Sequence, residues 1–151
     1  MTQEVGNIVD PRIEKFILKH HVLTLATSHD NKSYCSNMFY TYLPEHKALV
    51  FTSSESTLHG QQALLNPDVS ASIVVESKVV GILQGAQICG TIKSQSDQSI
   101  PEQIKTDMRN SYLKRFPYAI AAELNLWLLE VDFIKFTDNK LGFGKKLIWQ
   151  K

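Results

Sequence analysis

The stretch ALVFTSSESTLHGQQALLNP, Ala48 to Pro67, decides how the chain is read. Leu49, Phe51 and Ser53 alternate with Ala48, Val50 and Thr52, the period of a half-buried strand. A hydroxyl-rich loop follows, Ser53-Ser54-Glu55-Ser56-Thr57. Leu58, Gln62 and Leu65 then share one face of a short helix, which Asn66-Pro67 stops. A strand, a polar loop and a helix N-terminus together make an anion site. Unpaired backbone N–H groups and the helix dipole attract negative charge, and Ser or Thr hydroxyls add donors. The same pattern also fits a plain helix cap in which Ser56 supplies the capping oxygen.

Outward from this stretch, short strands are joined by compact turns. On the N-terminal side, Asp10-Pro11 starts a helix, with an acid at the cap and proline at the first helical position. Ile13, Phe16 and Ile17 give it an apolar face, and it ends near His20-His21. Val22–Ser28 and Tyr34–Leu43 read as strands around the turn His29-Asp30-Asn31-Lys32. Pro44-Glu45-His46-Lys47 then turns into the strand at Ala48, which completes a meander. On the C-terminal side, Val69–Glu76 is a fourth strand. Val79–Ser94 is punctuated by Gly81, Gly85 and Gly90, which fit the bends of a curled sheet or close backbone packing. Ser99 and Glu102 have capping-box spacing ahead of a helix with Ile104, Met108 and Tyr112 on one face. Pro117 opens a further short helix. Leu126–Phe136 is a sixth strand with Trp127, Leu129, Val131 and Phe133 on one face, and Leu141–Trp149 is a last glycine-containing segment. Antiparallel neighbours with short turns exclude a doubly wound sheet. The expectation is one α+β domain over residues 1–151: a six- or seven-stranded antiparallel split β-barrel with peripheral helices.

Bulk properties narrow the function. The chain has 151 residues, 43% apolar and 21% charged, with net charge +1. No global field draws it to nucleic acid or to an anionic membrane. No run reaches the ~18 apolar residues of a membrane span, and MTQEVGNIVD lacks the features of a signal peptide. A cytoplasmic protein is expected. Cys35 and Cys89 read as buried small hydrophobes, and neither has metal-ligand spacing with another Cys or His.

In this order, the helix, VLTLATS, a strand containing NMFY, then FTSS, a short helix ending NP, and VSASIV resemble the FMN-binding split barrels related to pyridoxamine 5′-phosphate oxidase. RFP at Arg115–Pro117 and IKFTDNKLGFGKKLIW at Ile134–Trp149 resemble the YhbP-type branch of that group. The resemblance implies FMN as cofactor and a homodimer with two sites at its interface. It implies that the phosphate lies over the loop Thr52, Ser53, Ser56, Thr57 and His59, with Gln62 on the helix behind. Thr57 falls on the family's hydroxyl position, Leu58 on its arginine and His59 on its lysine. The bidentate arginine contact is therefore absent. Asn37, Met38, Phe39 and Tyr40 match the segment whose backbone faces the flavin ring. Gln87, with Gln84 nearby, lies close to the position of a flavin-binding glutamine. Lys145, Lys146 and Trp149 match tail residues that relatives bring to the partner's site. No residue stands out as a general acid or base. The resulting expectation is an FMN-binding protein, read as a flavin-dependent oxidoreductase of unknown substrate. The alternative is a non-catalytic module for FMN, haem or another planar anion.

Overall fold

The computed structural model describes residues 2–5 and 8–151. Strands β1 (Thr2–Val5), β2 (Val22–His29), β3 (Lys32–Leu43), β4 (Ala48–Thr52), β5 (Asp68–Val74), β6 (Gln84–Ser94), β7 (Leu126–Asp138) and β8 (Lys146–Gln150) carry helices α1 (Pro11–Lys19), α2 (Leu58–Leu65) and α3 (Glu102–Arg115). Short 3-10 turns occupy Val80–Ile82, Pro117–Ala121 and Asn139–Leu141. No helix is long and apolar enough to cross a membrane.

The sheet runs β1-β8-β7-β4-β3-β2-β5-β6, and β6 pairs back onto β7. That return closes a six-stranded antiparallel barrel. One edge of β7 is taken by β6 along nearly its whole length. The other edge is shared: Leu126–Glu130 pair with β4, and Phe133–Thr137 pair with β8. The wall is split where β4 ends and β8 takes over. β1, parallel to β8, extends this second limb, a strand that the reading of the N-terminus did not foresee.

Local chemistry accounts for the elements that the sequence marks most clearly. Asp10 caps α1 by accepting from Arg12 N–H at 2.8 Å, and its carboxylate also takes the Arg12 guanidinium at 3.0 and 2.7 Å. The Arg12 side chain holds the Asp10 carboxyl below its usual range, with partial burial opposing it. Asp30 and Asn31 both adopt positive φ, 49° and 63°, as a two-residue hairpin turn requires. Ile13, Phe16 and Ile17 enter the barrel core, and the Tyr40 hydroxyl donates to Ile17 O at 2.6 Å.

Several expectations are corrected. β4 is buried on both faces rather than one, because α3 covers the side that turns away from the barrel. Val50, Leu128, Met108, Tyr112 and Phe116 form that outer core, while Phe51, Trp127, Leu129 and Ile134 lie in the barrel. In β7 the inward face is Trp127, Leu129, Val131, Ile134 and Phe136, not Phe133. A bulge causes this: Gly90 pairs with Val131 and Cys89 with Phe133, so Asp132 is skipped and the alternation changes phase. Of the three glycines in that region, Gly90 sits at the bulge and Gly81 in a 3-10 turn, while Gly85 is ordinary strand. The capping box before α3 does not form, since Pro101 holds the cap position without a side-chain hydrogen bond and Ser99 N–H goes to Asp97. Cys35 and Cys89 are exposed, because both fall on outward positions of their strands.

Candidate functional site

Past Thr52 the chain leaves β4 and wraps the N-terminus of α2. Ser53 anchors the departure: its N–H donates to Asn125 O at 2.9 Å and its carbonyl accepts from Trp127 Nε1 at 2.8 Å. Thr52 Oγ1 accepts from Asn125 N–H at 3.1 Å. The cap is Thr57, not Ser56. Its hydroxyl accepts from Gly60 N–H at 3.1 Å and donates to Ser54 O at 2.8 Å. Ser56 instead shares a 2.8 Å hydrogen bond with the Ser54 hydroxyl. A Cβ on Gly60 would lie 2.7 Å from Ser54 O, so the loop can fold this tightly over the helix only because residue 60 is glycine.

The helix face also differs from the expected one. Leu58 and Leu65 point to solvent, and Gly60, Gln62 and Ala63 face the protein. Gln62 is buried and used: it accepts from the Thr27 hydroxyl at 2.7 Å and donates to Lys32 O at 3.4 Å. Asn66 Nδ2 donates to Ser28 O at 3.0 Å. These bonds pin α2 to the β2–β3 hairpin, so Gln62 positions the helix. The loop has a further tether on the other side. Glu55 Oε1 accepts from Ser94 Oγ at 2.5 Å and from Ser96 Oγ at 3.3 Å, joining the loop to the end of β6. Neither this carboxylate link nor the Trp127 contact was foreseen. Both are long-range, and only the serine pair at 94 and 96 hints at a partner.

His59 Nε2 and the Ser53 hydroxyl share a hydrogen bond of 2.6 Å. Burial lowers the His59 pKa from its ordinary 6.5. The ring is therefore neutral at pH 7, and residues 53–62 contain no Lys or Arg. By position, Leu58 and His59 N–H lack intrahelical acceptors. The cradle thus offers dipoles and hydroxyls without a formal cation, and it carries one carboxylate at Glu55. For stability, the folded pKa of His59 lies below the unfolded value, so the unfolded chain binds the proton more readily. This contribution is complete above the unfolded pKa and is lost as pH falls below about 6.5. His20 is shifted the same way by burial, then by Lys19, His21 and Arg115. We expect His59→Gln to flatten, without abolishing, the loss of stability on acidification. Urea midpoints of both proteins between pH 7.5 and 5 (about the span in which a histidine titrates) check this, and parallel profiles would refute it.

Asn37–Tyr40 lie beside the point where β4 gives way to the loop, since Tyr40 pairs with Phe51. Asn37 is exposed and accepts from the Thr24 hydroxyl at 2.7 Å. Met38 packs against the core, and Phe39 is half exposed and rests on Phe116 with ring centroids 5.4 Å apart. Tyr40 and Trp149 are core side chains, 0% and 1% exposed, so neither ring is open to stack on a ligand. Gln87 is exposed on β6 beside Ser72 and Lys135. It stands seven residues from Ser94, about 23 Å along a strand at about 3.3 Å per residue. Lys145 is exposed in the turn before β8, and Lys146 Nζ donates to Thr137 at 2.9 Å. Within one chain, then, Tyr40 pairs with the strand from which the loop departs, while Gln87 and Lys145 stand apart from the loop. Among the described residues no group of three or more His, Cys, Asp or Glu could hold a metal ion.

Solved structures share this fold. The heme binding protein from Mycobacterium smegmatis aligns with a TM-score of 0.72 at 19% identity, over 95% of this chain and 60% of that longer one. A FAD-binding protein from Mesorhizobium loti aligns with a TM-score of 0.66 at 13% identity, over 84% of this chain and 92% of the other. No family model matches the chain. A UPF0306 protein of Klebsiella pneumoniae is 37% identical over 139 residues, 92% of this chain and 91% of its own. Identity of that level across nearly the whole length shows that the chain belongs to the UPF0306 proteins.

Proposed function

We propose that the chain binds a planar anionic cofactor, FMN foremost, at a site shared by two copies of itself. One observation carries this reading: the loop Ser53–Thr57 is held by hydrogen bonds over the N-terminus of α2, and it departs from β4 just past the Tyr40–Phe51 pair. It is tied to β7 through Trp127 and to β6 through Glu55. The Ser56 hydroxyl and the N–H groups of Leu58 and His59 would face a phosphate there, with the Thr57 hydroxyl holding the turn that presents them. The backbone of Asn37–Tyr40 would lie along the ring. Gln87 and Lys145, remote in one chain, would serve the site of a second chain. The tail resemblance supports reading the protein as one of the YhbP-type branch. Bound FMN would carry electrons for an oxidoreductase whose substrate is open, while these residues bind and orient it.

The absence of a cation at Leu58 and the neutral His59 favour a second reading. In it the same loop belongs to a non-catalytic module for FMN, haem or a related planar anion; the two structural neighbours are a heme binding protein and a FAD-binding protein. An absorbance scan of protein purified without added cofactor separates these readings. Bands at about 450 and about 370 nm identify flavin, and a Soret band at about 400 nm identifies haem. A flavin that NADH or NADPH reduces supports the enzyme, and one that resists both supports the module. Thr57→Ala with His59→Ala is expected to stay folded, at about 1 kcal/mol for the lost cap, and to lose flavin. Unchanged flavin content would refute the loop assignment.

A further inference from the structure

At the other end of the barrel the structure gathers cations that this function does not use. Arg12, Lys15 and Lys19 recur at i, i+3 and i+7 along one face of α1. They face the 3-10 turn after β7, and Lys140 projects from that turn across a cleft of about 270 Å³. Arg12 is paired with Asp10. Among the described residues, Lys15, Lys19 and Lys140 make no ion pair.

The one carboxylate lining the cleft, Asp138, makes no ion pair with these lysines and offsets only one of the three charges. Asp138 Oδ1 accepts from Lys140 N–H at 2.9 Å, and Oδ2 accepts from the Gln84 amide at 2.9 Å. The platform that carries Lys140 is built firmly. Asn139 donates through Nδ2 to Val80 O at 2.8 Å and through N–H to Leu83 O at 3.0 Å, and its Oδ1 accepts from Gly144 N–H at 3.1 Å. Three lysines without an ion-pair partner, against one aspartate, therefore line one concave site in a chain whose net charge is only +1. Like charges held around a recess focus the field within it and raise the local concentration of anions.

We infer that this cleft binds a phosphorylated small molecule, of the size and charge of a nucleoside diphosphate. Lysines reaching from two sides suit the several oxygens of a phosphate or diphosphate, for which Lys acts as a point charge without fixed geometry. At roughly 30 Å³ per water, the space accommodates a diphosphate and part of the organic group. Phe16 and Phe136 form the floor and the partly exposed Leu141 the lip, so an apolar or planar body has a surface to rest on. The cleft lies at the Gln84 end of β6, and the α2 cradle at the Ser94 end. It is therefore separate from the flavin site within the chain.

Isothermal titration at low salt with inorganic pyrophosphate, then with adenosine diphosphate, tests this. The wild type should bind pyrophosphate saturably, one per chain, and adenosine diphosphate more tightly. K15Q/K19Q/K140Q should weaken both by ~10-fold or more. A control with the same change of charge at exposed lysines elsewhere, K32Q/K78Q/K114Q, should stay within about twofold, since screening limits distant charges. Thr57→Ala with His59→Ala should leave pyrophosphate binding intact, which separates this cleft from the flavin site. Absence of saturable pyrophosphate binding overturns the proposal. So does equal loss in the control, or loss in the Thr57/His59 variant. Binding to phosphatidylserine vesicles without saturable pyrophosphate binding would also overturn it, in favour of a membrane headgroup.

Discussion

Trp149→Ala is expected to destabilise the protein by about 3–5 kcal/mol, the range for a large aromatic removed from a packed core. The ring is 1% exposed and belongs to the barrel cluster with Phe136, Leu147 and Ile134. Trp149 sits on β8 opposite Ile134, at the limb where β8 replaces β4 along β7. Deleting the ring leaves a cavity where the wall is already divided, so little can collapse to fill it. The measurement is the urea midpoint, with Trp149→Phe as a milder companion because it keeps most of the apolar volume. The tail resemblance suggests a different outcome, in which this tryptophan reaches a cofactor on a second chain. That role would leave the midpoint near wild type while flavin content fell. We expect the reverse: a large drop in midpoint, with flavin lost only in proportion to unfolding.

Trp149 also illustrates what the chain discloses and what it conceals. Elements whose determinants are local were legible. Asp10-Pro11 marks the start of α1 because cap and proline act within one turn. Asp30-Asn31 marks the hairpin because those residues tolerate positive φ. The barrel as a class follows from strands joined by such turns. What stayed hidden depends on neighbours remote in sequence. α3 covers the outer side of β4, so ALVF is buried on both faces although its alternation looks one-sided. The outward orientation of Cys35 and Cys89 follows from strand register, which composition does not report. The same holds at the candidate site. The serine-rich loop and the short helix that follows it were visible in the sequence. The partners that make it rigid, Trp127 for Ser53 and Ser94 for Glu55, come from β7 and β6. Gln62 reads as sharing a helix face with Leu58 and Leu65, yet of the three only Gln62 is buried, where Thr27 and Lys32 supply its hydrogen-bond partners.

Gly90→Ala should cost about 3 kcal/mol or more, at the upper end for forcing atoms into a packed site. A Cβ built at Gly90 would lie 2.2 Å from Glu130 O and 2.7 Å from the Leu129 side chain. The first of these atoms is backbone in the neighbouring strand, so no rotamer change relieves the clash. β6 or β7 must move. The bulge is placed here because glycine allows the strands to approach while Asp132 is skipped, and the skip turns Ile134 and Phe136 into the barrel. A methyl group would push the two strands apart at their longest pairing and disturb that change of phase. Gly85→Ala is the control on the same strand. Its added Cβ would meet nothing closer than Ile73 O at 3.5 Å, an ordinary contact. It should shift stability by about 0.5 kcal/mol or less, since strand glycine carries no packing advantage of its own. Equilibrium unfolding of the two variants side by side is decisive. If Gly90→Ala unfolds at the wild-type midpoint, the strands at the bulge have room that this geometry denies. If both variants fall equally, the loss belongs to glycine in strands generally and not to the close approach at Glu130.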